Sequence, residues 1–256
     1  MIHAVIIGGA GRMARALVAG AHELDALAVG AVIAAPGSRD LGRDAGELAG
    51  VRPLGVAVTA DLDAALKGAQ VAIDFSAPAA ARAHLEACAR ARVPLLLGTT
   101  GLPDDLAADL DRAAQRIALL VAPNTSLGVT LLLELVQRAA ASLPAGFDVS
   151  IVEAHHRAKK DAPSGTALAL GRAVDAGRGR EAAADAPVGY AVVRGGDLVG
   201  EHEVRFVGTG EELSLGHRAT DRAIFARGAL RAAVWLAGQA PGRYAMRDVI
   251  GFKSKA

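Results

Sequence analysis

Ile7-Gly8-Gly9-Ala10-Gly11-Arg12-Met13-Ala14-Arg15 is the stretch whose reading decides the fold. An apolar run, Val5-Ile6-Ile7, leads into it, and an amphipathic run leaves it. Glycine at 8 permits a tight turn out of a strand, glycine at 11 lets the backbone approach a pyrophosphate, and the small Ala14 lets a helix pack closely on that strand. Phosphates in such a turn lie at the helix N-terminus, where N–H groups and the helix dipole favour anions. A glycine triplet alone is a weak signal. A strand before it and a helix after it give it the context of a dinucleotide-binding turn, against the alternative of a glycine-rich turn with no ligand.

Outward from that turn, short apolar runs at 5–7, 27–33, 71–75, 94–97 and 117–121 read as buried parallel strands. Helical stretches separate them. In 103–116, Pro103 suits the first helical position, Asp104 and Asp105 suit the first turn, and Leu106, Leu110, Ala113 and Ala114 share one face. Strand–helix alternation of this kind predicts an α/β domain with a doubly wound parallel sheet. The pattern changes after residue 126. A long helix over 127–143 precedes a strand at 148–154 with one wet face, further strands at 190–194, 201–207 and 212–217, and a closing helix at 226–238. A second, α+β domain with a mixed or antiparallel sheet follows from these. Residues 175–187 read as a surface loop with a little helix.

A dinucleotide-binding turn is usually answered, about 20 residues on, by a carboxylate for the ribose 2′-hydroxyl. Here that region is Val32-Ile33-Ala34-Ala35-Pro36-Gly37-Ser38-Arg39, without an acid. Nothing repels a 2′-phosphate, and Arg12, Ser38 and Arg39 can approach one. The reading leans to NADPH over NADH, or to use of both; Arg39 as a solvated loop arginine is the alternative.

The densest chemistry is Glu153-Ala154-His155-His156-Arg157-Ala158-Lys159-Lys160-Asp161-Ala162-Pro163-Ser164-Gly165-Thr166. A strand ends, cationic or protonatable groups follow, and Ser164, a good N-cap, opens a helix. Side chains supply charge, and the N–H groups of Gly165 and Thr166 supply directed donors, so the loop is a two-sided trap for a small acidic molecule. His and Lys also suit proton delivery. Adjacent histidines in an extended loop point apart, and no Cys, Asp or Glu is seen to complete a ligand set, so no metal is expected. One of Lys159 and Lys160 is expected to be a surface charge, and Asp161 to neutralise the cluster or cap the turn.

The 256 residues are 52% apolar, enough for a buried core, and 28 basic residues meet 27 acidic ones. A net charge of +1 gives no footprint for nucleic acid or an anionic membrane, so neither is expected as a partner. No uncharged run approaches the ~20 residues that span a bilayer. The lone Cys88 excludes an intrachain disulfide and reads as a buried bystander thiol in a reducing compartment. The first strand starts at once, with no secretory pattern, so the expected location is cytoplasmic.

Residues 153–167 carry Glu-x-His-His-x-x-Lys-x-Asp-x-Pro-Ser-Gly-Thr-Ala without a gap. This closely resembles the signature of the dihydrodipicolinate reductase family. Further similarities lie at Gly8 to Met13, Ile73-Asp74-Phe75-Ser76-x-Pro78, Gly98-Thr99-Thr100-Gly101, Ala122-Pro123-Asn124, Arg194-x-Gly196-x-x-x-Gly200-Glu201-His202 and Met246-Arg247-Asp248-Val249. The resemblance implies a Rossmann-like nucleotide domain over 1–126, completed by 236–256, and a substrate and oligomerisation domain over 127–235 whose sheet builds a homotetramer. It implies hydride transfer from NADPH or NADH to C4 of an unsaturated cyclic imine dicarboxylate formed by loss of water, in lysine and diaminopimelate biosynthesis. By position, it makes His155 and Lys159 the catalytic acid–base groups and His156, Gly165 and Thr166 the substrate-carboxylate binders. It makes Gly8, Gly9, Ala10, Gly11, Arg12, Met13, Gly98, Thr99, Thr100, Ala122, Pro123, Asn124 and Thr125 the cofactor contacts; Asn124 as a cap for the following helix is the alternative there. Two departures stand out: Ala34 and Ala35 replace an acid often followed by Arg, and the 175–191 stretch is shorter than in many members. The rival functions are another dehydrogenase of a small semialdehyde or sugar and a non-catalytic dinucleotide sensor, which would not need the His155/Lys159 cluster.

Overall fold

The computed structural model describes residues 1–9, 11–179 and 188–252. In chain order, the first half runs β1 (Ile2–Ile7), α1 (Arg12–His22), β2 (Leu27–Ile33), α2 (Ala45–Ala49), β3 (Val58–Thr59), α3 (Leu62–Ala65), β4 (Val71–Asp74), α4 (Ala81–Ala91), β5 (Leu95–Leu97), α5 (Ala107–Ala114) and β6 (Ala118–Val121). The second half runs α6 (Leu127–Ser142), β7 (Asp148–His155), α7 (Gly165–Gly177), β8 (Gly189–Arg194), β9 (Gly200–Val207), β10 (Glu212–Ala219), α8 (Ala223–Leu236), β11 (Gly242–Tyr244) and α9 (Met246–Val249). Contacts divide it into two units, Met1–Ser126 with Phe225–Ala256, and Leu127–Ile224.

The first unit is the expected doubly wound parallel sheet, in the order β11-β6-β5-β4-β1-β2-β3. Every residue of β4 and β5 is buried, as central strands covered on both faces require. Two short strands escaped the periodicity reading, β3 and β11. Each has two or three residues, too few to show a period. β11 pairs with β6 in parallel and brings the end of the chain back to the sheet. The helix α8 was assigned from sequence to the second domain, yet from Phe225 onward it belongs to the first unit. Its small residues Ala226, Ala229 and Ala233 are buried, and Leu230 lies so near α1 that a Cβ on Gly20 would come within 3.0 Å of it. An amphipathic pattern shows that a helix buries one face, not against which partner.

Between β2 and β3 the chain turns on a single carboxylate. Asp44 accepts hydrogen bonds from the N–H groups of Gly46, Glu47, Leu54, Gly55 and Val56. Those bonds, with Leu54 the largest influence, hold its carboxyl below the usual range.

The second unit is a four-stranded mixed sheet, ordered β10-β9-β7-β8. β7 runs parallel to β8 because α7 carries the chain back between them, and antiparallel to β9. Val149 and Ile151 of β7, Val204 and Phe206 of β9, Leu132 and Val136 of α6, and Leu170 and Val174 of α7 form its core.

Cys88 is fully buried on α4, and burial pushes its thiol up to about 12. It should resist a maleimide in the native protein and react at once in denaturant. Fast native labelling would contradict this packing. Among the described residues no helix is long and apolar enough to cross a membrane.

Candidate active site

In the first unit, the turn after β1 has the backbone that its glycines predict. Gly8 sits at φ +129° and Gly9 at +60°. A Cβ on Gly8 would lie 2.8 Å from the Phe75 carbonyl oxygen, and one on Gly9 would lie 2.9 Å from the Ala34 Cβ. Both N–H groups are tied to the Ile33 carbonyl, at 3.1 and 2.6 Å. Gly11 is the N-cap of α1 and brings no side-chain cap, so the helix presents its first turn to any ligand there. Arg12 is exposed, Met13 is half-buried and Ala14 is buried. Ala10 lies outside the described residues. A backbone cradle that a Cβ would fill, at an uncapped helix start, fits a dinucleotide pyrophosphate.

The other expected cofactor contacts lie at the C-terminal ends of β5 and β6, the end where open α/β sheets bind ligands. Gly98 donates to the Asp74 carbonyl (2.8 Å) and packs so closely on the Phe75 ring that a Cβ would meet it at 2.2 Å. Thr99 is buried, while Thr100 is exposed. Ala122 donates to the Leu97 carbonyl (3.0 Å) and is buried, and Pro123 is exposed. The Asn124 carboxamide oxygen accepts from the Ser126 N–H (2.9 Å), a turn just ahead of α6. The Thr125 hydroxyl is spent on the Phe225 carbonyl (2.7 Å), which leaves its main chain for any ligand. At the end of β2, Ala34 is buried, and Ala35 and Arg39 are exposed. The first acid there, Asp40, is ion-paired with Arg43 at 2.9 Å.

In the second unit, the end of β7 leads into the loop of His155, His156 and Lys159. Strand alternation puts Val149, Ile151, Glu153 and His155 on the buried face. His155 Nδ1 is hydrogen-bonded to Glu153 Oε2. Glu153 is fully buried and accepts also from both Arg194 guanidinium nitrogens (2.8 and 3.0 Å) and from the Ser164 N–H (3.1 Å). Burial raises its proton affinity, but Arg194 and His155 outweigh that and hold its carboxyl below the usual range. Burial lowers the pKa of His155, against the pull of Glu153 and helped by the nearby charges of Lys159 and Arg194.

Past His155 the loop turns outward. Lys159 Nζ pairs with Asp161 at 2.8 Å, and Lys160 is exposed. So Lys159 is the lysine facing the cluster, and Asp161 partly neutralises it. Ser164 caps α7, accepting from the Ala167 N–H (3.2 Å). Gly165 is exposed at the first turn, with nothing within 4 Å of where its Cβ would be, and His156 and Thr166 are half-buried.

Two groups were reached only through the resemblance, not from local spacing. Arg194 arrives from β8, where it pairs in register with His155. His202 arrives from β9, directly across from Glu153. His202 touches His155 edge-on, at 5.1 Å between ring centres, and its Nε2 meets the Ser164 hydroxyl at 3.1 Å. Burial lowers its pKa to about 4, so it is neutral at physiological pH. The sequence reading saw no Cys, Asp or Glu to complete a ligand set with the histidines; the structure brings one ligand atom from each of Glu153, His155 and His202 within 4.8 Å of the others. The i, i+2 spacing of Glu153 and His155 on a strand was the available signal. The cluster is nonetheless a poor cation site, because the Arg194 guanidinium already occupies both carboxylate oxygens and opposes a second positive charge.

The family model described as "Dihydrodipicolinate reductase, N-terminus" matches residues 2–125, and its C-terminus counterpart matches residues 128–250. The chain belongs to the dihydrodipicolinate reductase family. It is 47% identical over 266 residues to the 4-hydroxy-tetrahydrodipicolinate reductase of Thiobacillus denitrificans, covering 98% of this chain and 99% of that one. It is 47% identical over 260 residues to the same enzyme of Alkalilimnicola ehrlichii, covering 96% and 97%. A dihydrodipicolinate reductase from Paenisporosarcina sp. TG-14, solved with dipicolinate bound, superposes with a TM-score of 0.81 at 25% identity, over 98% of this chain and 100% of that one. An amine dehydrogenase from Mycobacterium smegmatis, at 17% identity and a TM-score of 0.64, shares the fold alone. As a member of the dihydrodipicolinate reductase family, the chain is an NAD(P)H-dependent oxidoreductase of lysine and diaminopimelate biosynthesis, a 4-hydroxy-tetrahydrodipicolinate reductase.

Proposed function

We propose that residues 155–166 bind and protonate a cyclic imine dicarboxylate, formed by loss of water from 4-hydroxy-tetrahydrodipicolinate, while residues 8–13 with 98–100 and 122–125 hold the dinucleotide. The observation that carries this reading is the joining of His155 and Lys159 to the start of α7 by one loop, so that a proton source and an anion site share a wall. His156 and the first-turn N–H groups of Gly165 and Thr166 hold the substrate carboxylates. Gly165, with open space over its Cα, lets one come close. The reduced nicotinamide, when bound, supplies hydride to C4 of the ring. Negative charge then develops at the ring nitrogen and C3. The Lys159 ammonium and a protonated His155 stabilise it, and Lys159 gives up the proton. A dianionic substrate raises the proton affinity of His155 and so opposes the lowering that burial causes. The experiment is a steady-state assay on the unsaturated cyclic imine beside small aldehydes. Turnover of the aldehydes alone would favour the semialdehyde dehydrogenase reading.

For the cofactor we infer a preference for NADPH. Arg39 is exposed beside the uncharged Ala34 and Ala35, and Asp40 is neutralised by Arg43. kcat/KM should be higher with NADPH than with NADH, and Arg39→Ala should narrow the ratio. A strong NADH preference would sink the inference. We propose also that the working unit is a homotetramer built on the second unit's sheet. Tyr190, Val192 and Val193 are exposed apolar residues on the edge strand β8, which in a lone monomer invites pairing.

A further inference from the structure

Glu153, Arg194 and His202 are buried or half-buried, charged or titratable, and unused by the chemistry above. We infer that Glu153, clamped by Arg194, is a positioning residue: it fixes the His155 proton on Nδ1 and so presents Nε2 as the atom that exchanges protons with the substrate. The inference deepens the reading of His155 as an acid–base group and rests on it.

The geometry leaves little choice of protonation. Oε1 of Glu153 accepts from Arg194 Nη2 and from the Ser164 N–H, and Oε2 accepts from Arg194 Nη1. Those three partners can only donate, so the carboxylate is ionised, and its fourth partner, His155 Nδ1, must donate as well. With the proton fixed there, only Nε2 can take up or release one. A Cβ on Gly200 would stand 3.0 Å from that nitrogen, so glycine at 200 keeps a side chain off it. The groups facing the imidazole are Glu153 on its own strand, Arg194 on β8, Lys159 in the loop with Asp161 paired to it, and His202 on β9, behind which stands His217 of β10. His202 is neutral, and its Nε2 is engaged with the Ser164 hydroxyl. Glu153 alone favours the imidazolium; Lys159, Arg194 and burial oppose it.

Glu153→Gln removes that support, so the proton affinity of His155 falls further. The protonated form is present only below its pKa. The alkaline limb of kcat/KM should therefore move to lower pH. Activity near neutrality should drop ~10-fold or more, since an amide in place of an orienting carboxylate favours the wrong tautomer, and should partly return on acidification. Glu153→Asp, which keeps the charge, should leave the limb near its wild-type place even if the rate falls. A uniform loss at every pH in Glu153→Gln, with the limb unmoved, would mean that Glu153 only braces the fold, and would overturn the inference. His155→Gln separates the two levels: if it turns over like wild type, the acid–base reading itself fails; if it is inactive while the limb of Glu153→Gln stays put, only the positioning role fails. Should Glu153→Gln not fold, ¹⁵N-histidine NMR of the wild-type full chain decides. Protonated Nδ1 and bare Nε2 on His155 are expected, and the reverse tautomer overturns the inference.

Discussion

Replacing Lys159 by methionine should lower kcat by ~10²–10⁴, the range for losing a positioned acid–base group, and leave nucleotide affinity unchanged. The physical ground is local. Lys159 is held by Asp161 at 2.8 Å, on the loop between His155 and the α7 cap, in the second unit. The proposed nucleotide turn belongs to the first unit. Methionine keeps the aliphatic stem and removes the charge, so the loop loses one half-exposed ion pair, worth at most ~1 kcal/mol. A fall in kcat and kcat/KM together identifies an interaction made in the transition state, whereas a rise in KM alone would make Lys159 a carboxylate binder only. His155→Gln should cost a similar factor. The double variant should be far from additive if both groups serve one proton transfer. Wild-type turnover from the Lys159 variant would remove the proposed mechanism.

Gly8→Ala should be the most damaging single methyl in the nucleotide half. At φ +129° an alanine is strained by ~1–3 kcal/mol, and its Cβ would stand 2.8 Å from the Phe75 carbonyl oxygen, a backbone atom that cannot swing aside. Relief requires the turn to open, which moves the start of α1 away from any phosphate it holds. Nucleotide affinity measured by fluorescence titration should fall at least ~10-fold, equivalent to ~1.4 kcal/mol, with a lower Tm. Gly165→Ala is the companion. Its Cβ meets open space, so stability should hold while affinity for a dicarboxylate analogue falls. Unchanged nucleotide binding in Gly8→Ala would show that the cradle lies elsewhere.

Some of this was written locally in the chain. β2 was read residue for residue at 27–33 because its seven residues are an unbroken apolar and glycine run, although only Leu27, Val32 and Ile33 prove buried. Pro103 with Asp104 and Asp105 marked a helix start, although the first turn proved to be 3-10 and the α-helix begins at Ala107. Ser164 was legible as an N-cap, and its hydroxyl does cap α7. The shortest strands were not legible, nor was the partner of α8, which depends on how close Gly20 lets Leu230 come.

The sequence by itself determined the glycine turn after β1, the cationic loop capped by Ser164 and the family, because each depends on residue types within a few positions of one another. Only the tertiary structure decided the surroundings of His155. Arg194 lies 41 residues from Glu153, and His202 reaches it across an antiparallel ladder whose register no local pattern sets. Proton affinity is a property of such an assembled neighbourhood: burial and the charges folded around an imidazole fix which nitrogen carries the proton, and neither exists until the strands have paired.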